Sequence, residues 1–142
     1  MKYVFVYNMP DGKAYKTEPA PGINLVRAKE DIPFGYINLR LIDIAKLPDR
    51  VWREAWVLDS DNRLVVDYSV VRGIIRRERN KALSLLDMKV LSAQRGKNLE
   101  LEKKLETETQ RLRDIPQHQD FENTDLQALK QLLMACRIRE GL

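Results

Sequence analysis

Apolar and polar residues alternate in short runs over the first 66 positions. KYVFVYN, residues 2–8, carries β-branched and aromatic residues. The turn-forming residues Pro10, Asp11 and Gly12 separate it from KAYKT, so the pattern predicts a β-hairpin over residues 2–17. YINLRLIDI, residues 36–44, predicts a half-buried strand. Residues 57–68 predict a second hairpin around turn residues 59–62.

The segment between the strands, DRVWREAW, predicts a short helical piece with Asp49 as its N-cap. Trp52 and Trp56 are four residues apart and would share one face of that helix. Such a pair most often seals the core of a small β layer. The alternative is that the two rings form a partner-binding patch.

From Asp67 the apolar period becomes helical. Asp67 is a candidate N-cap, and Gly96 is a candidate stop for a first long helix. One face of this helix is apolar: Val71, Ile75, Ala82, Leu86 and Val90. A second helix follows, with Leu101, Leu105 and Leu112 on a thin apolar stripe, and it ends before Pro116.

A third helix is predicted over residues 125–140. Thr124 and Gln127 have the spacing of a capping box. Leu126, Leu129, Leu133 and Cys136 would face inward. The predicted fold is therefore α+β: an N-terminal β-rich module with hairpins over 1–66, and an antiparallel helical hairpin plus a third helix over 67–142.

Arg76, Arg77, Arg79 and Lys81 stand close together before an apolar run, as in the basic region of a basic-leucine-zipper protein. Leu91, Asn98, Leu105 and Leu112 keep heptad spacing, but the alternate seam positions are Met88, Arg95, Glu102 and Thr109. A dimer would bury unpaired charge along that seam, so the zipper is rejected. The net charge of +4 is only mildly basic. A nucleic-acid-binding regulator using Arg76–Lys81 is the alternative function, and nucleic acid is the less favoured partner.

The chain has one cysteine, Cys136, and one histidine, His118, which excludes an internal disulfide and a zinc site of the Cys/His type. It carries no phosphate-binding, dinucleotide-binding or zinc-protease motif. The carboxylate pairs Asp59/Asp61 and Glu106/Glu108 are interpreted as solvated charge. We therefore expect no enzymatic activity, no metal and no cofactor. No run approaches 18 apolar residues, so no membrane span is expected, and the single cysteine fits a reducing cytoplasm.

The run from Val51 to Asp87, followed by LRDIPQ and NTDLQALKQLL, resembles small proteins of tailed bacteriophages and prophages. The likeness covers roughly residues 50–133. The matching positions are Arg53, Glu54, Ala55, Trp56, Val65, Val66, Asp67, Arg72, Arg76, Arg79, Leu86, Asp87, Arg113, Asp114 and Pro116. The final helix runs past the usual end, and the segment between the first two helices is short.

The resemblance implies a tail or tail-fibre assembly chaperone, or an adaptor that stays in the tail. Its partners would be phage tail or tail-fibre proteins, and a second copy of the chain is a further candidate. It would act in the host cytoplasm during assembly or in the virion tail. The candidate contact surfaces are the Trp52 and Trp56 patch, the stripe of Leu126, Leu129 and Leu133, or the N-terminal strand added to a partner's sheet.

The resemblance also suggests a role for the arginines. In a helical hairpin, Arg76 and Arg79 could fork onto carboxylates of the facing helix and fix its register. Asp87 and Asp114, each near the end of its helix, are the candidate acceptors. Plain solvation of these side chains is the alternative.

Overall fold

The computed structural model describes residues 2–61, 63–122 and 125–142, and it has an α+β fold. The strands are β1 (Tyr3–Asn8), β2 (Ala14–Thr17), β3 (Ile37–Asp43), β4 (Trp56–Leu58) and β5 (Leu64–Val66). The α-helices are α1 (Leu25–Lys29), α2 (Tyr68–Arg95), α3 (Leu99–Arg113) and α4 (Leu126–Ala135). The chain divides into two compact units, and the boundary in the sequence lies between Tyr68 and Ser69.

The first unit contains an antiparallel sheet in the order β2-β1-β3. The predicted N-terminal hairpin is present, with Phe5 opposite Thr17, and Gly12 supplies the positive φ of 79° in its turn. On its other side β1 pairs with β3, with Tyr3 opposite Asp43. The expectation that the N-terminal strand adds to a partner's sheet is therefore wrong, because β1 is the central strand and both its edges are already paired.

One face of this sheet is covered by the segment around α1. The buried cluster there is Phe5, Tyr7, Ala28 and Ile32, and half-buried Leu39 packs against it. Asn24 begins α1 by accepting a hydrogen bond from the Val26 N–H at 2.7 Å. The side chains of Val4 and Val6 on the opposite face of β1 are also fully buried.

A 3₁₀ helix, Arg50–Ala55, forms the short helical piece predicted before β4. Asp49 begins it as expected, accepting from the Val51 N–H at 3.0 Å. Trp56 is already the first residue of β4, opposite Val66, so the prediction that Trp52 and Trp56 share a helical face is wrong. The β4–β5 hairpin is present, and Asp59 Oδ1 accepts from the N–H groups of Asp61 and Arg63.

The second unit contains the predicted helical hairpin, α2 and α3, joined by residues 96–98. Of the five residues expected on the inner face of α2, Val71, Ile75, Ala82 and Leu86 are buried and Val90 is half-buried. The helix ends at Arg95 as predicted, but Lys97 rather than Gly96 adopts the left-handed conformation, with φ 55°. Asn98 then caps α3 by accepting from the Leu101 N–H at 3.1 Å.

The last helix, α4, is shorter than the predicted 125–140. Asp125 caps it by accepting from the Gln127 N–H at 2.9 Å, and the predicted cap Thr124 lies outside the described residues. The helix ends at Ala135, whose carbonyl accepts a hydrogen bond from Arg111 at 2.7 Å, and Arg111 also donates to the carbonyl of Arg137 beyond the helix. The expected helical continuation through RIRE is therefore wrong.

Candidate functional site

The two tryptophans are core residues. Only 1% of Trp52 and 2% of Trp56 is exposed, so neither ring presents a surface to a partner. The indole Nε1 of Trp56 is buried and has no hydrogen-bond partner within the described structure, an arrangement that folding must offset elsewhere. The candidate patch of Trp52 and Trp56 is thus interior surface, as the first of the two sequence interpretations held.

The leucine stripe of α4 is also largely packed. Leu129 is fully buried, and Leu126 and Leu133 are half-buried. Leu132 is buried too, and the Cys136 thiol lies 3.6 Å from the carbonyl oxygen of Ile75. Burial raises the pKa of Cys136 above its ordinary value. This stripe holds α4 in the second unit and leaves little apolar area for a partner.

The proposed register pairs have other partners. The Arg76 guanidinium lies over the Phe121 ring, 4.9 Å from its centre. Arg79 donates to Asn80 Oδ1 at 3.0 Å, and Asp114 accepts from Gln110 at 2.8 Å. The ion pairs of the described residues include none between Arg76 or Arg79 and Asp87 or Asp114, and Asp87 and Asp114 are both exposed.

A buried carboxylate that the sequence interpretation assigned to solvent fixes the second unit instead. Glu108 on α3 is only 3% exposed. Arg111 donates to its Oε1 through Nε at 2.7 Å and also through Nη2, and the Arg139 Nε lies 3.8 Å from Oε2. The Arg111 guanidinium also donates to the Ala135 carbonyl at 2.7 Å, so this one arginine joins α3 to the end of α4. The i, i+3 spacing of Glu108 and Arg111 was the available sequence signal.

Three large apolar side chains on α2 are more than half exposed. Leu85 and Leu91 are each 54% exposed, and Met88 is 68% exposed. Their i, i+3, i+6 spacing makes successive members neighbours on the helix surface. Leu85 borders the face that carries Ala82 and Leu86, and Met88 and Leu91 lie on the outer side. From the sequence, Met88 and Leu91 were considered only as seam positions of the rejected zipper, and Leu85 was not grouped with them. Leu85, Met88 and Leu91 were nevertheless visible at helical spacing.

The charge of the chain is concentrated on the same helix. α2 contains seven basic and two acidic residues, a net charge of +5, whereas the whole chain has +4. Arg76, Arg77 and Lys81 border a shallow groove with Gly73 and Ser84. Glu78 offsets part of this charge, because its Oε1 lies 3.1 Å from Lys81 Nζ and 3.9 Å from Arg77 Nε.

The first unit also has apolar residues in solvent. Phe34 is fully exposed on the Pro33–Gly35 turn, and Val26 of α1 is 74% exposed. Ile37 and Leu41 of the edge strand β3 are exposed as well. These side chains are scattered over a turn, a short helix and a strand, so they do not form a contiguous strip like the one on α2.

The chemistry of the described residues is limited. No group of three or more His, Cys, Asp or Glu side chains within residues 2–61, 63–122 and 125–142 is placed to hold a metal ion. His118 is half-exposed, and its Nδ1 accepts from the Asp120 N–H at 3.1 Å. Across the same ranges, no helix combines the length and apolar character that crossing a bilayer requires. The α2 strip is therefore the feature with the clearest binding chemistry.

Comparison of the chain with protein-family profiles, with curated proteins and with solved structures finds no match.

Proposed function

We propose that this chain is a non-enzymatic protein-binding module that associates with its partner through the exposed strip of Leu85, Met88 and Leu91. The observation that supports this is three large apolar side chains, each more than half exposed, at successive neighbouring positions of a 28-residue helix. A helix held along its inner face is a rigid support for such a strip. Burying each side chain would contribute roughly 1 kcal/mol, about half the value for a fully exposed residue.

The biological setting in this proposal comes from the resemblance to small phage tail proteins. The chain would act during tail construction, as a chaperone that binds a tail or tail-fibre subunit transiently or as an adaptor retained in the tail. Either role consists of covering apolar surface on a partner and needs no catalytic group. The resemblance supports this setting through the residues between about 50 and 133 that match the pattern of those proteins.

A photoreactive amino acid in place of Met88 tests the surface directly. In cells that assemble the particle, we expect crosslinks to a tail or tail-fibre protein from position 88. The matched control is the same amino acid in place of Lys103, an exposed residue of α3. Equal crosslinking from both positions, or crosslinks from neither, would refute the proposed surface.

Mass spectrometry of purified particles separates the two roles. A fixed copy number of the chain per particle supports the adaptor. Its absence from particles, together with crosslinks to a tail subunit before assembly, supports the chaperone. Crosslinks only to proteins unrelated to tails would refute the phage setting and leave the binding surface in place.

A nucleic-acid-binding regulator is the second candidate, and the net +5 charge of α2 favours it. Against it, Arg76 is stacked on Phe121, and Glu78 lies beside Lys81. Phosphate contacts make affinity fall steeply as salt rises, whereas an apolar interface changes little. Titration of a DNA duplex at about 50 and 200 mM salt therefore separates the candidates, with no binding at either salt expected from our proposal.

A further inference from the structure

Met88 and Leu91 of the exposed apolar strip lie in the middle of a longer helical stripe that has cations at both ends, and Leu85 lies beside it. Positions separated by alternating steps of four and three residues follow one face of a helix, the pattern along which a second helix packs. On the outer face of α2 these positions are all exposed: Arg77, Lys81, Ser84, Met88, Leu91 and Arg95. We call these six residues the outer stripe. It is about 27 Å long at 1.5 Å per residue.

The centre of the outer stripe suits close helix packing. Met88 and Leu91 supply apolar contact, and Leu85 widens it on one side. Ser84 is small and its hydroxyl is already occupied, donating to the Asn80 carbonyl at 3.1 Å. A second helix can therefore pack against Ser84 without leaving its hydroxyl unsatisfied.

The charges of the outer stripe exclude a second copy as its natural occupant. In a parallel pair, Lys81 and Arg95 would each meet the same residue of the other copy. In an antiparallel pair centred on Met88, Lys81 would meet Arg95. Like charges at facing positions oppose association in both directions.

We propose that the occupant is an amphipathic helix of a partner protein, apolar in its middle and carrying carboxylates at both ends. Carboxylates at those ends would face Lys81 and Arg95, and the partner's apolar residues would face Met88 and Leu91. The inference rests on the proposed protein-binding function and names the chemistry of its partner. Glu78 offsets one of the two positive charges at the N-terminal end, because its Oε1 lies 3.1 Å from Lys81 Nζ and 3.9 Å from Arg77 Nε. This end of the outer stripe therefore keeps a net positive charge.

Designed peptides test the charge pattern with the full-length chain. The probe is a labelled 21-residue helix with leucine at the central stripe positions and glutamate at the outer ones. The matched control replaces those glutamates by glutamine, which has similar helix propensity. Titration by fluorescence anisotropy at about 50 mM salt should show at least tenfold tighter binding of the glutamate peptide.

Three variants connect the binding to named residues. Met88→Gln should weaken binding of both peptides. The triple variant Arg77→Gln, Lys81→Gln, Arg95→Gln should reduce the affinity for the glutamate peptide to that for the glutamine peptide. Lys103→Gln on α3 removes one positive charge away from the outer stripe and should change neither affinity. Circular dichroism of each variant checks that the helices are retained.

Three outcomes overturn the inference without overturning the proposed function. If both peptides bind equally and Met88→Gln abolishes that binding, the outer stripe recognises apolar residues and not carboxylates. Self-association of the chain in sedimentation equilibrium, abolished by Met88→Lys, means that a second copy occupies the stripe. Binding of neither peptide by a monomeric chain also overturns the inference, whereas the proposed function fails only if position 88 gives no specific crosslinks in cells.

Discussion

Arg111 holds the buried carboxylate of Glu108 with one edge of its guanidinium, and it donates to the Ala135 carbonyl through Nη1. One side chain thus satisfies both a buried charge on α3 and a carbonyl that the end of α4 leaves without a helical donor. Arg139 also lies near Glu108, but 69% of its side chain is exposed. Arg111 should therefore contribute much more to the stability of the folded chain than Arg139 does.

Replacing Arg111 by methionine should reduce the free energy of unfolding by about 3–5 kcal/mol, because it leaves the Glu108 charge buried without its main partner. Arg139→Met is the matched control, and it should cost less than about 1 kcal/mol. Urea denaturation of both variants measures the difference. Equal effects would contradict the assignment of Arg111 as the main partner.

The connection between α2 and α3 gives a second prediction. Lys97 has φ 55°, a conformation that favours glycine, so Lys97→Gly should stabilise the chain by about 0.5–1 kcal/mol. Gly96 does not have positive φ, and a Cβ there would meet its nearest atom at 3.5 Å, an ordinary contact. Gly96→Ala should therefore be neutral or stabilising in thermal denaturation. A large loss of stability in Gly96→Ala would mean that residue 96 adopts the left-handed conformation.

Substitutions at two nearby positions of α2 should differ greatly in their effect on the free energy of unfolding. Leu86 is fully buried, and Leu86→Ala should cost about 2–5 kcal/mol. Met88 is 68% exposed, and Met88→Gln should change the free energy of unfolding by less than about 0.5 kcal/mol. Chemical denaturation compares them. A strongly destabilised Met88→Gln variant would mean that this side chain is part of the core.

Cys136 gives a prediction that depends on pH. Burial raises the pKa of its thiol above the ordinary 9.0, so the folded state keeps its proton at a pH where the unfolded state loses it. The contribution to stability is therefore complete below the unfolded pKa and decreases as pH rises from about 9 towards the folded pKa. In the Cys136→Ser variant, the free energy of unfolding should therefore fall less between pH 8 and 10 than it does in the unmodified chain. A thiol reagent should label native Cys136 much more slowly than the unfolded chain at pH 8.

Local patterns predicted the elements of this fold well because short-range chemistry determines them. Pro10, Asp11 and Gly12 marked the first turn, and Asp49 marked the start of the 3₁₀ turn. The period of Val71, Ile75 and Leu86 identified the inner face of α2. Each of these signals lies within a few residues of the structure that it specifies.

The candidate surfaces were harder to predict because exposure depends on residues far away in sequence. Leu129 and Met88 are both apolar residues at helical spacing, yet one is fully buried and the other is in solvent. Glu108 looked like one more charge in a polar helix, and its burial depends on Arg111 together with the segment after α4. The order of the strands, which makes β1 central, was equally outside the local pattern.

The pairing of β1 with both β2 and β3 also determines when the sheet can form during synthesis. Tyr3 meets Asp43, whereas the α2–α3 hairpin closes across three residues. At about 5–20 residues per second, a ribosome needs roughly two to eight seconds to make the intervening chain. Until then β1 has only its hairpin neighbour, with the edge that β3 will occupy still open. A newly made chain is therefore most exposed to strand-mediated aggregation during this interval, before its helical half has been translated.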